Sequence, residues 1–175
     1  GLDDDKAIAV CADAAQGQVV QAVNFNSPGQ VVIAGHAEAV DRAVVLAKEA
    51  GAKKAMPLSV SVPCHSDLMR TAGDELAEKL RATTTERPVV PVVNNIDAEI
   101  ELDPARIRDK LIAQLYSPVL WVASVNTMAA TGITTLVECG PGKVLCGMSK
   151  RVVRGMNVNS LQDQAGFDST LEALS

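Results

Sequence analysis

The segment around His65 holds the side chains best suited to chemistry in this 175-residue sequence. Cys64, His65, Ser66 and Asp67 follow one another where a predicted strand ends and a predicted helix begins. In α/β folds, catalytic groups collect at strand ends. Imidazole exchanges a proton near neutral pH, so His65 is a candidate general base. Helix capping, or a plain surface position, is the alternative interpretation of this histidine.

Cys64 and Ser66 are the nucleophile candidates nearest to His65, in a Cys/His pair or in a compact triad with Asp67. Adjacent side chains rarely point at each other, and triads assemble from distant segments. Helix capping explains Ser66 and Asp67 equally well. The sequence contains no Gly-x-Ser-x-Gly nucleophile elbow, and its nearest approach, residues 147–150, lacks the last glycine. The residues alone therefore indicate a base without an activated serine.

Two further motifs have structural explanations. Residues 140–143 are Gly-Pro-Gly-Lys, which lacks the Gly-x-x-x-x-Gly-Lys-Ser/Thr spacing of a phosphate loop. A tight strand-to-helix turn is the favoured interpretation, although the amides of such a helix start can bind an anion or a side-chain oxygen. His36 follows Gly35 at a predicted helix start, where capping is again the default interpretation.

The composition excludes several classes of protein. A formal net charge of −5 leaves no broad basic face for nucleic acid. The four cysteines form no CxxC pair and the two histidines offer no zinc spacing, so we expect no metal site. No apolar run approaches the roughly 20 residues that span a bilayer, and scattered thiols without a signal peptide indicate a reducing cytoplasm.

Hydrophobic periodicity predicts an α/β protein, with apolar residues making up 47% of the chain. In its first part we expect a helix over residues 6–15, strands over 19–25 and 30–34, a helix over 36–50 and a strand over 55–62. This order is most of a ferredoxin-like unit without its first strand, and the loss of a central strand leaves its neighbours unpaired.

The rest of the chain alternates between helical and strand patterns. We expect helices over residues 67–83, 104–115, 118–130 and 143–151, and strands over 89–93, 134–138 and 156–161. The tail beyond residue 163 is predicted to form a short helix or to fray.

Four motifs in a fixed order carry a family resemblance. They are VNFNSPGQVVIAG at residues 23–35, VSVPCH at 60–65, QLYSPV at 114–119 and ECGPGKVL at 138–145. In this order they resemble the bacterial malonyl-CoA:acyl-carrier-protein transacylases of type II fatty acid synthesis. The likeness runs from residue 1 to at least residue 151.

The resemblance implies the fold and its division. The family has a large α/β-hydrolase-like subdomain with a small ferredoxin-like subdomain inserted in it. Residues 1–61 are expected to form the small subdomain without its first strand. Residues 62–175 are expected to form the C-terminal portion of the large subdomain.

The resemblance also assigns roles to residues. His65 is the expected general base, and the main-chain carbonyl of Gln114 is expected to hold its imidazole in place of an acidic triad member. Asn24, Asn26 and Gln30 fall in the segment that lines the pantetheine channel. Lys54 falls where related enzymes often have an arginine near the thioester arm, and it can meet a phosphate as a point charge.

The reaction implied is ping-pong transfer of malonyl from malonyl-CoA to the phosphopantetheine thiol of acyl carrier protein, with no cofactor beyond the coenzyme A thioester. The family's elbow serine, oxyanion-hole donors and carboxylate-binding arginine belong to an N-terminal half that is absent here. The chain alone is therefore expected to be inactive and to need that half as a partner. Alternatives are a non-catalytic fragment that binds carrier protein or coenzyme A, and an acyltransferase domain of a polyketide synthase.

Overall fold

A computed structural model describes residues 1–174 and separates into two compact units, Gly1–Ser124 and a second unit from Val125 onward. Helices and strands are mixed along the chain, which confirms the predicted α/β class. The expected subdomain boundary between residues 61 and 62 refers to the fold of the family and stays a prediction.

Four helices, the start of a fifth and one pair of strands make up the first unit. Its elements are α1 (Asp4–Ala15), β1 (Val20–Ser27), β2 (Gln30–Gly35), α2 (Ala37–Glu49), a 3₁₀ turn (Asp67–Met69), α3 (Arg70–Ala82), α4 (Pro104–Ala113) and α5 (Trp121–Ala130), which runs past the end of the unit. The predicted helix over residues 67–83 thus begins as a 3₁₀ turn. The predicted helix over 118–130 starts three residues late, at Trp121.

Helix α1 begins and packs as its sequence predicts. The Asp3 carboxylate accepts a hydrogen bond of 2.9 Å from the amide of Lys6, satisfying one of the donors left free at a helix start. The buried side chains of α1 lie on one stripe, namely Ala7, Val10, Cys11 and Ala14. The last three of them pack in one cluster with two small residues of α2, Ala39 and Ala43. Burial raises the pKa of the Cys11 thiol to about 11, so this thiol stays protonated at neutral pH.

Strands β1 and β2 form the predicted antiparallel hairpin. Register shifts between Ala22 and Asn24 and between Phe25 and Ser27 interrupt the ladder, as β-bulges do. Each bulge rotates the side chains that follow, so the buried residues of β1 are Val20, Val23 and Ser27 rather than every second residue. The strand therefore curves while keeping its core side buried.

The second unit pairs β3 (Thr135–Glu138) with β4 (Asn157–Ser160) in parallel, with α6 (Val144–Val152) between them in sequence and α7 (Gln164–Leu174) after them. The amides of Leu145 and Cys146 at the start of α6 donate to Glu138, at 3.2 and 2.8 Å. Desolvation raises the pKa of Glu138, but hydrogen bonds from Cys146 and its neighbours outweigh it and lower the pKa overall. The Gly-Pro-Gly-Lys segment is thus a strand-to-helix turn, and the first amides of the helix that follows it hold a carboxylate of the chain itself.

Two predicted strands are wrong. Residues 55–62 and 89–93 form no strand, and bends at Ser59, Val62, Val89 and Val90 interrupt them; the one bridge described in these segments joins Val93 to Ile100. Most of their apolar side chains are exposed, Val89 to 99%. Periodicity identifies residues able to form a strand, but a strand also needs a neighbour for its backbone, and the part of the chain that the structure describes supplies none here.

Candidate active site

A cavity of about 560 Å³ opens within the first unit. Its lining is mostly apolar and comes from α1, from β1 and from residues 116–120: Ile8, Cys11, Val20, Phe25, Pro118 and Leu120 are among them. His65 and Tyr116 add polar side chains to this wall. An apolar cavity with a few polar groups is the usual form of a small-molecule site.

Residues 116–120 are held against β1 by main-chain hydrogen bonds. The amide of Phe25 donates to Val119 O, and the amide of Val119 donates to Val23 O, each at 2.9 Å. This parallel bridge lies beside the first bulge of β1. The hairpin thereby fixes one side of the cavity.

His65 sits in a backbone conformation that few residues adopt. Its φ is 65°, in the left-handed region, where a residue with a Cβ is strained. The amide of His65 donates to Leu115 O at 2.9 Å, which holds the residue in this conformation. Such strain is maintained only where the surrounding structure enforces it, so it adds to the reasons for treating His65 as a functional candidate.

The imidazole of His65 is held by the end of α4. His65 Nδ1 lies 2.7 Å from the carbonyl oxygen of Gln114. The last carbonyls of a helix lack partners within the helix, so Gln114 O is free to accept. The Gln114 side chain points elsewhere, with its Oε1 accepting from Asn95 Nδ2 at 3.0 Å. The main chain, not the side chain, thus makes the contact to the histidine.

This contact fixes the tautomer of His65. A carbonyl oxygen only accepts, so the proton of the neutral ring is on Nδ1 and Nε2 carries the free lone pair. Nε2 can then take a proton from a hydroxyl or a thiol. The partial negative charge at the end of α4 stabilises the imidazolium that forms. The arrangement suits a general base without a carboxylate.

The compact triad of Ser66, His65 and Asp67 is not formed. Ser66 is fully buried and its hydroxyl donates to Pro63 O at 2.7 Å. The Asp67 carboxylate accepts from Gln21 Nε2 at 2.7 Å and pairs with Arg70 at 2.6 Å. Both side chains therefore hold the turn before α3, but neither caps a helix, so the capping interpretation of Ser66 and Asp67 is wrong in its detail.

Cys64 is exposed, and among the described residues its thiol has no hydrogen bond to His65. Its amide donates to Val62 O at 2.9 Å, so it is part of the turn that leads into His65. The structure therefore gives no support to a Cys/His pair.

Two residues of the site were missed by sequence reasoning. Gln21 Oε1 accepts from the amide of Asp67 at 2.7 Å, which ties the His65 turn to β1. Tyr116 lines the cavity, with the Arg70 guanidinium 4.6 Å from its ring centroid and Gly73 against its edge. Tyr116 lay within a recognised motif, whereas nothing in the sequence singles out Gln21.

The remaining predicted site residues do not line this cavity. Asn24 and Asn26 are on β1, and Gln30 begins β2, where Ser27 Oγ donates to its Oε1 at 3.0 Å. Lys54 is exposed in the unpaired segment that follows α2. None of the four is among the described residues that line the cavity. Their roles in substrate binding stay predictions.

His36 has a structural role at the start of α2. Its Nδ1 accepts from the amide of Val19 at 3.0 Å, which closes the open end of the β1–β2 hairpin. Within residues 1–174, no group of three or more His, Cys, Asp or Glu side chains is placed to hold a metal ion. No described helix has the length and apolarity needed to cross a bilayer.

Comparison with known proteins identifies the family. Residues 3–165 match the family model of the acyl transferase domain. The malonyl CoA-acyl carrier protein transacylase of Salmonella typhimurium is 53% identical over 171 residues, which are 98% of this chain and 55% of the relative. The chain thus spans about half the length of the curated relatives it matches.

Solved structures show the same relationship. An acyl carrier protein S-malonyltransferase from Vibrio cholerae superposes with a TM-score of 0.95 at 54% identity, over 97% of this chain and 56% of its own. The malonyl-transacylase in complex with its type II polyketide synthase acyl-carrier protein superposes with a TM-score of 0.97 at 47% identity, over 99% and 56%. These superpositions confirm the expected fold class, an α/β-hydrolase-like part with most of a ferredoxin-like part, and the chain belongs to the acyl transferase family.

Proposed function

We propose that this chain carries the general base of a malonyl-CoA:acyl-carrier-protein transacylase of type II fatty acid synthesis. The observation that carries the proposal is the 2.7 Å contact between His65 Nδ1 and Gln114 O at the wall of an apolar cavity. The name of the Salmonella relative supports malonyl transfer as the reaction. The carrier protein bound to a malonyl-transacylase supports a carrier protein as the acceptor.

In the first half-reaction, His65 Nε2 takes the proton of a serine hydroxyl as the serine oxygen attacks the malonyl thioester carbon. The C–S bond of malonyl-CoA breaks, and His65 returns the proton to the departing thiolate. Coenzyme A leaves as a thiol and malonyl remains as a serine ester. The Gln114 carbonyl keeps the ring oriented throughout.

In the second half-reaction, His65 Nε2 takes the proton of the phosphopantetheine thiol of the carrier protein. The thiolate attacks the malonyl ester, and the proton passes to the serine oxygen as the ester C–O bond breaks. One histidine thus serves both steps, because each step moves a single proton from the attacking group to the leaving group. The coenzyme A thioester is substrate, and we propose no further cofactor.

The nucleophile of this reaction is assigned to a part of the enzyme outside these 175 residues. The sequence holds no elbow serine. Beside His65, the Ser66 hydroxyl donates to Pro63 O, and the Cys64 thiol has no hydrogen bond to the histidine among the described residues. The N-terminal half of the family's enzymes is therefore the proposed partner, and the cytoplasm is the proposed place of reaction. Asn24, Asn26, Gln30 and Lys54 are proposed to meet the pantetheine arm and its phosphates.

The alternatives are less well supported. A fragment that binds carrier protein without chemistry would not need a strained histidine with a fixed tautomer. An acyltransferase domain of a polyketide synthase is disfavoured because the 53% identical Salmonella relative is named a malonyl CoA-acyl carrier protein transacylase.

The test uses a joined protein. It consists of the residues of the Salmonella relative that lie outside the match, fused to this chain so that the segments follow one another as they do in the relative. We expect the joined protein to transfer malonyl from malonyl-CoA to holo acyl carrier protein, and this chain alone to show no transfer. A folded joined protein without transfer would contradict the proposed function.

Substitution Gln114→Ala in the joined protein distinguishes the role of the Gln114 main-chain carbonyl from that of its side chain. The alanine keeps the carbonyl that contacts His65 and removes only the Asn95 contact. We expect kcat/KM to fall by less than about tenfold, the worth of roughly one hydrogen bond. A loss of more than a hundredfold would mean that the amide side chain takes part directly.

A further inference from the structure

The turn that carries His65 is held firmly on one side. The end of α4 binds both its backbone and its ring, since the His65 amide donates to Leu115 O at 2.9 Å and Nδ1 lies 2.7 Å from Gln114 O. A residue at φ 65° stays there only where its surroundings enforce the conformation. The chain that follows His65 therefore needs an anchor as well.

Gln21 on β1 supplies this second anchor. Its Oε1 accepts from the amide of Asp67 at 2.7 Å, and its Nε2 donates to Asp67 Oδ2 at 2.7 Å. One planar amide group thus meets both the main chain and the side chain of the residue two positions after His65. Because two parallel contacts fix direction as well as distance, the hairpin orients the turn.

The second oxygen of Asp67 makes a separate contact. Oδ1 lies 2.6 Å from Arg70 Nη2, and the Arg70 guanidinium is 4.6 Å from the ring centroid of Tyr116. The Arg70 and Asp67 side chains of this ion pair are 61% and 38% exposed, so water and salt screen their attraction. We therefore expect the half-buried contact to Gln21, rather than the ion pair, to restrain the turn.

Gln21 also lines the same cavity as His65. Both polar atoms of its side chain are engaged with Asp67, so they are directed at the protein. This arrangement favours a role in orienting the histidine over direct contact with a substrate.

We propose that Gln21 and Asp67 are positioning residues, whose paired contact holds the His65 turn so that the imidazole stays against Gln114 O. The contact thereby keeps the ring proton on Nδ1 and leaves Nε2 free to act as the base. The proposal deepens the proposed function and rests on it only for the use of that base, because the tautomer of the ring can be measured without catalysis.

An exchange of donor and acceptor tests the contact in this chain alone. In Gln21→Glu, a carboxylate oxygen replaces Nε2 and faces Asp67 Oδ2, so the two groups repel. Adding Asp67→Asn places an amide donor where Oδ2 was and leaves an oxygen for Arg70. The double variant therefore restores the side-chain contact with its donor and acceptor reversed, and keeps the acceptor for the Asp67 amide.

The side-chain ¹⁵N chemical shifts of His65, read by NMR at a pH where imidazole is neutral, report which ring nitrogen carries the proton. We expect one Nδ1–H tautomer in the unaltered chain and in the double variant, and a mixture of both tautomers in Gln21→Glu. An unchanged tautomer in Gln21→Glu would overturn the proposal, as would a double variant that stays mixed.

Two single substitutions complete the test. Asp67→Asn alone places two amide donors opposite each other and is expected to give the same mixture, so the test survives if Gln21→Glu does not fold. Gln16→Glu adds the same charge at an exposed residue after α1 and is expected to leave the tautomer unchanged. A mixture in Gln16→Glu as well would show that charge alone moves the ring, and would overturn the proposal.

Kinetics of the joined protein separate positioning from substrate contact. We expect Gln21→Glu to lower kcat by roughly ten- to a hundredfold with little change in KM, because a displaced base slows the proton transfer. We expect the double variant to recover most of that loss. A rise in KM at unchanged kcat would mean that Gln21 meets the substrate and would contradict the positioning role. If the tautomer responds as expected in a joined protein without turnover, the proposed function fails and the positioning contact stands.

Discussion

Replacement of His65 by asparagine in the joined protein lowers kcat/KM for malonyl transfer by roughly 10² to 10⁴, the usual contribution of a general base. That factor corresponds to about 2.7–5.5 kcal/mol of transition-state stabilisation. Asparagine is chosen because it tolerates the left-handed conformation that His65 adopts at φ 65°, which keeps the turn intact. Asparagine has no group that can take up a proton, so the loss falls on the chemical step rather than on folding.

The control for this substitution is His36→Ala. His36 accepts from the Val19 amide at the end of the hairpin and is not among the described residues that line the cavity. We expect its replacement to reduce stability slightly and to leave kcat/KM within about threefold, since it removes one hydrogen bond far from the proton transfer. Steady-state assays of both variants, with circular dichroism to verify folding, make the comparison. Equal losses in the two variants would remove His65 from the mechanism.

Substitution Gly35→Ala is expected to destabilise the chain by at least about 3 kcal/mol, near the upper end of single-residue effects. A Cβ at Gly35 would lie 2.1 Å from Val19 O and 2.6 Å from Val20 Cα, both main-chain atoms that cannot move without opening the hairpin. This end of the hairpin also holds the start of α2 through His36. Urea unfolding of the chain measures the change.

Gly147→Ala is the matched control for Gly35→Ala. Gly147 is inside α6, and a Cβ there would meet nothing within 4 Å. Alanine in a helix interior is favoured over glycine by roughly 0.5–1 kcal/mol, so this change should stabilise. Similar losses in the two variants would show that glycine flexibility, rather than close approach of the backbone, decides the effect at Gly35.

Local patterns account for most of the predicted elements. Asp3 before an amphipathic run predicts α1, and the Asn-Ser-Pro-Gly turn predicts the hairpin, because capping and turn chemistry depend on neighbours in sequence. The same local grounds predict strands over residues 55–62 and 89–93, which are unpaired apart from the bridge between Val93 and Ile100. Whether an extended segment is paired depends on distant residues, which periodicity does not reveal.

The candidate site also combines features that the local sequence predicts with features that depend on distant residues. His65 stands out locally at the end of a predicted strand, and the resemblance adds Gln114. The helix end that frees the Gln114 carbonyl, the left-handed turn at His65 and the Gln21 contact to Asp67 all bring together residues far apart in sequence. Only the folded chain shows that Ser66 and Asp67 are held by Pro63, Gln21 and Arg70 instead of by the histidine.

We propose that this chain supplies the base and not the nucleophile. The most direct test of this proposal is an intact-mass spectrum of the 18.3 kDa chain and of the joined protein after exposure to malonyl-CoA, followed by proteolytic mapping. We expect an unmodified chain, and a malonyl ester on the joined protein that maps to a serine outside these 175 residues. A malonyl adduct within the 175 residues, on Cys64 for example, would contradict it and require a nucleophile in this chain.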